Sequence, residues 1–164
     1  MTEFLPGPGA ERAYRDALGT FGTGVTIVTT RGPDGPVGIT ANSFSSVSLR
    51  PPLVLWSVDR GSDRFAVFED AQRTAIHVLG ADQSALALRF ARSGDDFTDL
   101  DWQSGEAGVP LLAGCLARFE CRRLRNYDGG DHRILLSEVV RVRLGDGDPL
   151  LFSRGVFGSF VRGD

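Results

Sequence analysis

A chain of 164 residues with a net charge of −3 is one domain's worth, and its apolar and charged fractions are those of an ordinary globular protein. Without a basic surplus to neutralise phosphates it is not a general nucleic-acid binder. No run approaches the roughly 18 consecutive apolar residues of a membrane helix, and no basic segment followed by an apolar one marks a secretory signal, so the cytoplasm is the expected location.

Residues 1–9, with Pro6, Gly7, Pro8 and Gly9, read as a flexible tail ahead of a single domain over residues 10–162. The spacing of Tyr14 and Leu18, with Ala10, Ala13 and Ala17 beside them and Gly19 as a stop, predicts a helix over Ala10–Leu18. A β-branched strand follows over Gly24–Thr30, and the turn Gly32-Pro33-Asp34-Gly35 folds it onto a second strand, Val37–Phe44.

The stretch Gly38–Asp59 is almost free of charge yet carries a run of hydroxyl and amide side chains from Thr40 to Ser48. Such groups need partners when buried. Two readings are open: they close on nearby backbone, as Ser and Thr commonly do, or they meet a polar ligand. Pro51-Pro52 is expected to hold the chain extended before the strand Leu53–Asp59.

Ser62 is placed to cap a short helix reaching about Glu69. The strand Thr74–Leu79 and a helix over Ala85–Phe90, starting at Asp82 or Ser84, come next, and then a mostly looped segment, Arg92–Gly108. The last third reads as strands Leu116–Tyr127, Ile134–Leu144 and Pro149–Phe152, joined by the turns Asp128–Asp131 and Gly145–Asp148. Val140, Val142 and Leu144 alternate with Arg141 and Arg143 as in a half-buried antiparallel strand. Cys115 and Cys121 share one expected strand and one face, beyond disulfide reach, and read as small core residues. Many short strands with few helices indicate a closed or nearly closed antiparallel barrel.

Several motif matches carry no chemistry. Gly19–Gly24 is glycine-rich but leads from helix to strand, the reverse of a dinucleotide-binding turn. The acidic turns are too short for a calcium loop, two histidines away from the cysteines make no zinc site, and no nucleophile elbow accompanies the serines. Arg162-Gly163-Asp164 spells an adhesion tripeptide by coincidence. His77 lies inside an apolar strand, where a hydrogen-bonded core histidine is expected, whereas His132 stands at a hairpin mouth and can face a cleft.

The run Phe21-Gly22-Thr23-Gly24-Val25-Thr26-Ile27-Val28-Thr29-Thr30, followed by Gly38–Ser48 and Pro51-Pro52-Leu53-Val54, resembles the flavin reductase family, the small reductase components of two-component flavin-dependent monooxygenases. Asp131-His132 leading into Ile134–Val139 is similar to the family's second signature, and Pro149–Gly158 to its C-terminal one. The resemblance implies a mainly β, FMN-binding split barrel (antiparallel, Greek-key-like) with a few short helices. It also implies a homodimer that uses NADH or NADPH to reduce FMN or FAD for a separate oxygenase component.

Carried over by motif, Thr40, Ala41, Asn42 and Ser43 would hold the flavin ring and ribityl chain, and Trp56, Ser57, Val58, Asp59 and Ser62 would continue toward the phosphate. Phe90, Ala91 and Phe97 would lie at the flavin's far end, and His132 and Phe157 would meet the nicotinamide. No metal and no protein nucleophile are expected, because the hydride passes between cofactors. The protein's task is to stack two rings and offer neutral donors where charge develops, which suits an uncharged pocket of Ser, Thr and Asn. A non-catalytic flavin carrier and an oxidase with tightly bound FMN are the alternatives. One departure stands out: His77 occupies a strand position where the family commonly has Asn.

Overall fold

The computed structural model describes residues 3–161 and 163. Met1 and Thr2 of the expected tail, and Arg162 and Asp164 of the tripeptide, lie outside the described residues. The chain runs α1 (Glu11–Leu18), β1 (Thr23–Gly24), β2 (Thr26–Arg31), β3 (Pro36–Ala41), β4 (Ser45–Leu49), β5 (Pro52–Asp59), α2 (Phe65–Asp70), β6 (Arg73–Val78) and α3 (Ser84–Arg92). After these come β7 (Trp102–Ser104), a 3₁₀ turn (Glu106–Gly108), β8 (Pro110–Leu112), β9 (Ala117–Gly129), β10 (His132–Leu144), β11 (Leu150–Ser153) and β12 (Val156–Ser159).

β2 organises the fold because five of its six residues are buried, with β3 on one side and β6 on the other. Its threonines satisfy themselves on neighbouring carbonyls: Thr26 Oγ1 donates to Ala41 O at 2.7 Å, Thr29 to Pro110 O at 2.6 Å and Thr30 to Arg73 O at 2.8 Å. A seven-stranded antiparallel sheet follows in the order β3-β2-β6-β9-β10-β5-β4. Val37, Ile39 and Ala41 near one end pack with Val54, Trp56 and Val58 near the other, around Val28, Phe68, Ile76, Cys121 and Leu135. The sheet therefore curls until its two flanks share one core. A second core gathers Val25, Ile27, Leu79, Phe90, Phe97 and Leu150 beneath the small sheet β1-β11-β12.

Several expectations change. The first strand breaks at Val25, with Thr23–Gly24 feeding the small sheet and Thr26–Arg31 the large one. The polar run after Asn42 is partly strand, since β4 pairs with β5. Arg50–Pro51 is a cis peptide bond in a turn, so only Pro52 is extended. Ser62 does not cap α2: its Oγ accepts from the Arg64 N–H at 3.2 Å before the helix begins. The segment Arg92–Gly108 contains β7, which pairs with β8. Cys115 precedes β9, so the two cysteines do not share a strand, although both are free as expected. Burial raises the Cys115 thiol to about 11 and the Cys121 thiol to about 12, leaving neither a nucleophile.

The alternation at the end of β10 does not produce burial: Val140, Val142 and Leu144 are 48, 54 and 82% exposed. Periodicity fixed which residues share a face and not whether anything covers that face. No helix among the described residues is long and apolar enough to cross a membrane.

Candidate cofactor site

At the end of β3 the chain leaves the sheet, and its polar side chains divide between the two readings. Thr40 Oγ1 donates to Ala87 O of α3 at 2.6 Å. Ser43 Oγ accepts from the Ser57 N–H and donates to the Ser57 carbonyl, both at 3.0 Å, so a hydroxyl substitutes for a strand partner and pins the loop to β5. These two close on backbone. Asn42 is exposed, and among the described residues its amide makes no hydrogen bond, leaving its donors and acceptor for something else.

β5 alternates cleanly. Trp56 and Val58 are buried, Trp56 edge-on to Phe68 with ring centroids 5.2 Å apart, while Ser57 and Asp59 face away from that core. Phe90 and Phe97 are likewise buried, 4.9 Å apart. Thus Trp56, Val58, Phe90 and Phe97 present little or no surface, and what they do is fix Ser57, Asp59 and Ala91 in place. Gly38 is required here because a Cβ would lie 2.6 Å from the Phe90 ring.

Past β5, Asp59 Oδ1 accepts from the Gly61 N–H at 2.7 Å, closing a tight turn that carries Ser62. Arg60 fastens this turn to the β9–β10 hairpin. Its N–H donates to Asp131 O at 2.9 Å, its Nε to Gly130 O at 3.0 Å and its Nη2 to Asp128 Oδ1 at 3.2 Å. His132 is the strand partner of Asp59, and its Nδ1 lies 2.7 Å from Asp131 Oδ1. That hydrogen bond holds the Asp131 carboxyl below the usual range, and the Gly130 N–H with the Arg60 guanidinium does the same for Asp128.

The β5 residues, the Ser62 turn, the Asn42–Ser43 loop and His132 therefore meet around one end of β5. Ala91 lies at the end of α3, whose last carbonyls are held by Arg64: Nη1 donates to Phe90 O at 2.7 Å and Nη2 to Ala91 O at 3.4 Å. Phe157 sits apart from His132, in β12, where it packs on Phe152 against the core that holds Phe90 and Phe97. Sequence reasoning missed Arg60 and Arg64, whose roles depend on long-range carbonyls that leave no local pattern. Gly38, opening the charge-poor stretch, was the one available signal of a close approach. A cavity of about 460 Å³ between Thr30–Pro33 and the end of α2 contains none of these groups.

One end of β5 thus brings together neutral amide and hydroxyl groups, from Asn42, Ser57 and Ser62, and the His132 imidazole. Residues 18–160 match the family model described as "Flavin reductase like domain", and the chain belongs to that family.

The chain is 55% identical over 159 residues to the FMN reductase (NADH) SmoA of Agrobacterium fabrum, covering 97% of this chain and 91% of that one. It is 38% identical over 151 residues to the flavin-dependent monooxygenase reductase subunit HsaB of Mycobacterium tuberculosis, covering 88% and 79% of the two chains. The Streptomyces globisporus NADH:FAD oxidoreductase SgcE6, solved in complex with NAD and FAD fragments, superposes with a TM-score of 0.89 at 42% identity, covering 97% and 98%. The fold class read from the sequence, mainly β with a few short helices, agrees with these structures.

Proposed function

We propose that this protein is an NADH-dependent flavin reductase, a split barrel that reduces FMN or FAD and releases the product to a separate monooxygenase component. The observation that carries this reading is the meeting of Asn42–Ser43, Ser57–Ser62 and His132 at one end of β5, in a chain 55% identical to an FMN reductase that uses NADH. The flavin and the nicotinamide supply the redox chemistry when bound.

The chain's residues bind and orient. Asn42 donates to the flavin from an amide that makes no hydrogen bond among the described residues, Ser57, Asp59 and Ser62 continue the surface toward the phosphate, and Ala91 borders the far end. Ser43 and Thr40 act indirectly, by holding the loop to β5 and α3. Asp131 fixes the His132 ring through Nδ1, leaving Nε2 for the nicotinamide nucleotide. Phe157, set apart from His132, packs near the Phe90–Phe97 end and shapes that end of the flavin site rather than the nicotinamide's.

The uncovered apolar faces, Val140, Val142 and Leu144 of β10 with Leu124 of β9 and Leu49 of β4, support a homodimer. The place of relatives such as HsaB as reductase subunits of monooxygenases supports a diffusible product.

Steady-state assays pairing NADH or NADPH with FMN or FAD test this reading, NADH being the expected donor. His132→Ala should raise the KM for NADH by about tenfold, near 1.4 kcal/mol, while leaving flavin affinity almost unchanged. An unaltered KM would remove His132 from the nicotinamide site. Asn42→Ala should weaken flavin binding by about 0.5–1.5 kcal/mol in a fluorescence titration, the net worth of a hydrogen bond made at an exposed amide. Superimposable titration curves would refute the contact.

A further inference from the structure

Away from this site, two arginines stand side by side beneath the β7–β8 hairpin. Arg118 of β9 is the strand partner of Arg143 of β10 on one side and of His77 of β6 on the other. Paired residues in an antiparallel ladder share a face with Cβ atoms about 5 Å apart, and like charges so placed repel. Arg118 is also buried, its side chain only 8% exposed.

A guanidinium has five N–H donors, yet Arg118 makes one hydrogen bond among the described residues, from Nη2 to Glu120 Oε1 at 3.3 Å. Its Nε is buried without an acceptor. Arg123, partly buried, is far better used: its Nη groups donate to Phe68 O, Glu69 O and Asn126 Oδ1 at 2.8, 3.1 and 2.7 Å, although its Nε, like that of Arg118, is buried without a partner among the described residues.

Glu120 forms an ion pair with Arg118 at 3.3 Å, but one carboxylate facing two guanidinium groups leaves the Arg118–Arg143 pair with a net positive charge. Two cavities of about 220 and 200 Å³ flank the arginines, and both are lined by Arg118, Arg143 and Ala113. Asp146 lines the first and Asp101 the second, but neither forms an ion pair with either arginine among the described residues. Each cavity has room for a phosphate-sized group. An underused buried cation beside an exposed one is costly unless an anion with several acceptors joins them.

We propose that the Arg118–Arg143 pair is a binding site for a small oxyanion of the phosphate class, separate from the cofactor site at the other end of β10. The pair bridges the anion, with Arg118 held in place by the hairpin above it and Arg143 closing from the open side. A free phosphate and the phosphate of a mononucleotide share this chemistry.

The test is a titration of the full-length protein followed by the Nε–H resonances of its arginines in ¹H–¹⁵N spectra, with the Arg118 signal assigned by its loss in Arg118→Lys. Inorganic phosphate should shift that resonance along a saturating curve at constant ionic strength set with chloride. Arg143→Ala, at an exposed position, should weaken the response about tenfold or more, whereas Arg31→Ala, which removes the same charge elsewhere, should not. AMP run in parallel identifies the source: tighter binding than phosphate indicates a nucleotide and equal or weaker binding a free anion, both within the proposal. A linear response reproduced by chloride, or an Arg143→Ala curve matching the parent's, would overturn it.

Discussion

Replacing His77 with alanine should destabilise the fold by about 3–5 kcal/mol in urea denaturation, one of the largest effects of any single substitution in this chain. The imidazole is fully buried and clamps three elements together. Its Nδ1 lies 3.0 Å from Ile27 O of β2, and the Leu112 N–H of β8 donates to its Nε2 at 3.1 Å. These partners fix the tautomer with the proton on Nδ1. Alanine strands the Leu112 N–H in the core and opens a cavity the size of the ring. Asparagine, the residue that the family resemblance leads one to expect here, is too short to reach both partners and should fall between the parent and alanine. His77 is thus a structural device in place of that Asn, and a parent-like stability for His77→Ala would refute this.

The same residue gives the fold a pH dependence of known sign. Burial, aided by the Arg118 charge and partly opposed by the Ile27 carbonyl, lowers the imidazole from 6.5 to about 4. The folded value lies below the unfolded one, so between them the unfolded chain holds a proton that the native state refuses. His77 therefore contributes fully above about pH 6.5, and that contribution is lost as the pH falls to about 4, a difference of about 3 kcal/mol. Stability measured across this window should fall more steeply for the parent than for His77→Asn. Parallel slopes would contradict the assignment.

The second large effect is at Trp56. Motif resemblance places Trp56 with the flavin-binding residues, but its side chain is 1% exposed and edge-on to Phe68. Trp56→Ala should cost about 3–5 kcal/mol of stability through cavity formation. Trp56→Phe should cost far less, since the indole Nε1–H is buried without an acceptor and its removal relieves that deficit. Flavin affinity of Trp56→Phe should match the parent's. A stable Trp56→Phe protein that no longer bound flavin would mean that the indole itself touches the cofactor.

Local signals carried much of the fold. The β-branched run of β2, the turn Gly32–Gly35 and the hairpin around Gly129–Asp131 sit where propensity and turn chemistry place them. What stayed hidden depended on partners distant in sequence. β4 reads as polar coil until β5 lies beside it, and β7 and β8 are three residues each, too short for a period to emerge. The role of His77 requires Leu112, 35 positions away.

The Thr40–Ser48 stretch was legible as a polar anomaly, but not its division of labour. Thr40 and Ser43 hold the framework while Asn42 is left over, a distinction that only Ala87 and Ser57 reveal. Alternation marks Val140, Val142 and Leu144 as one apolar face but cannot say whether the covering surface belongs to the same chain, and here all three stay exposed.

The central claim is that one protein molecule passes electrons from NADH to flavin again and again. Catalytic amounts of the protein, mixed anaerobically with NADH and excess FMN or FAD, should bleach many equivalents of flavin with matching loss of NADH. Flavin that binds but stays oxidised, or that is bleached only once per protein molecule, would contradict the account.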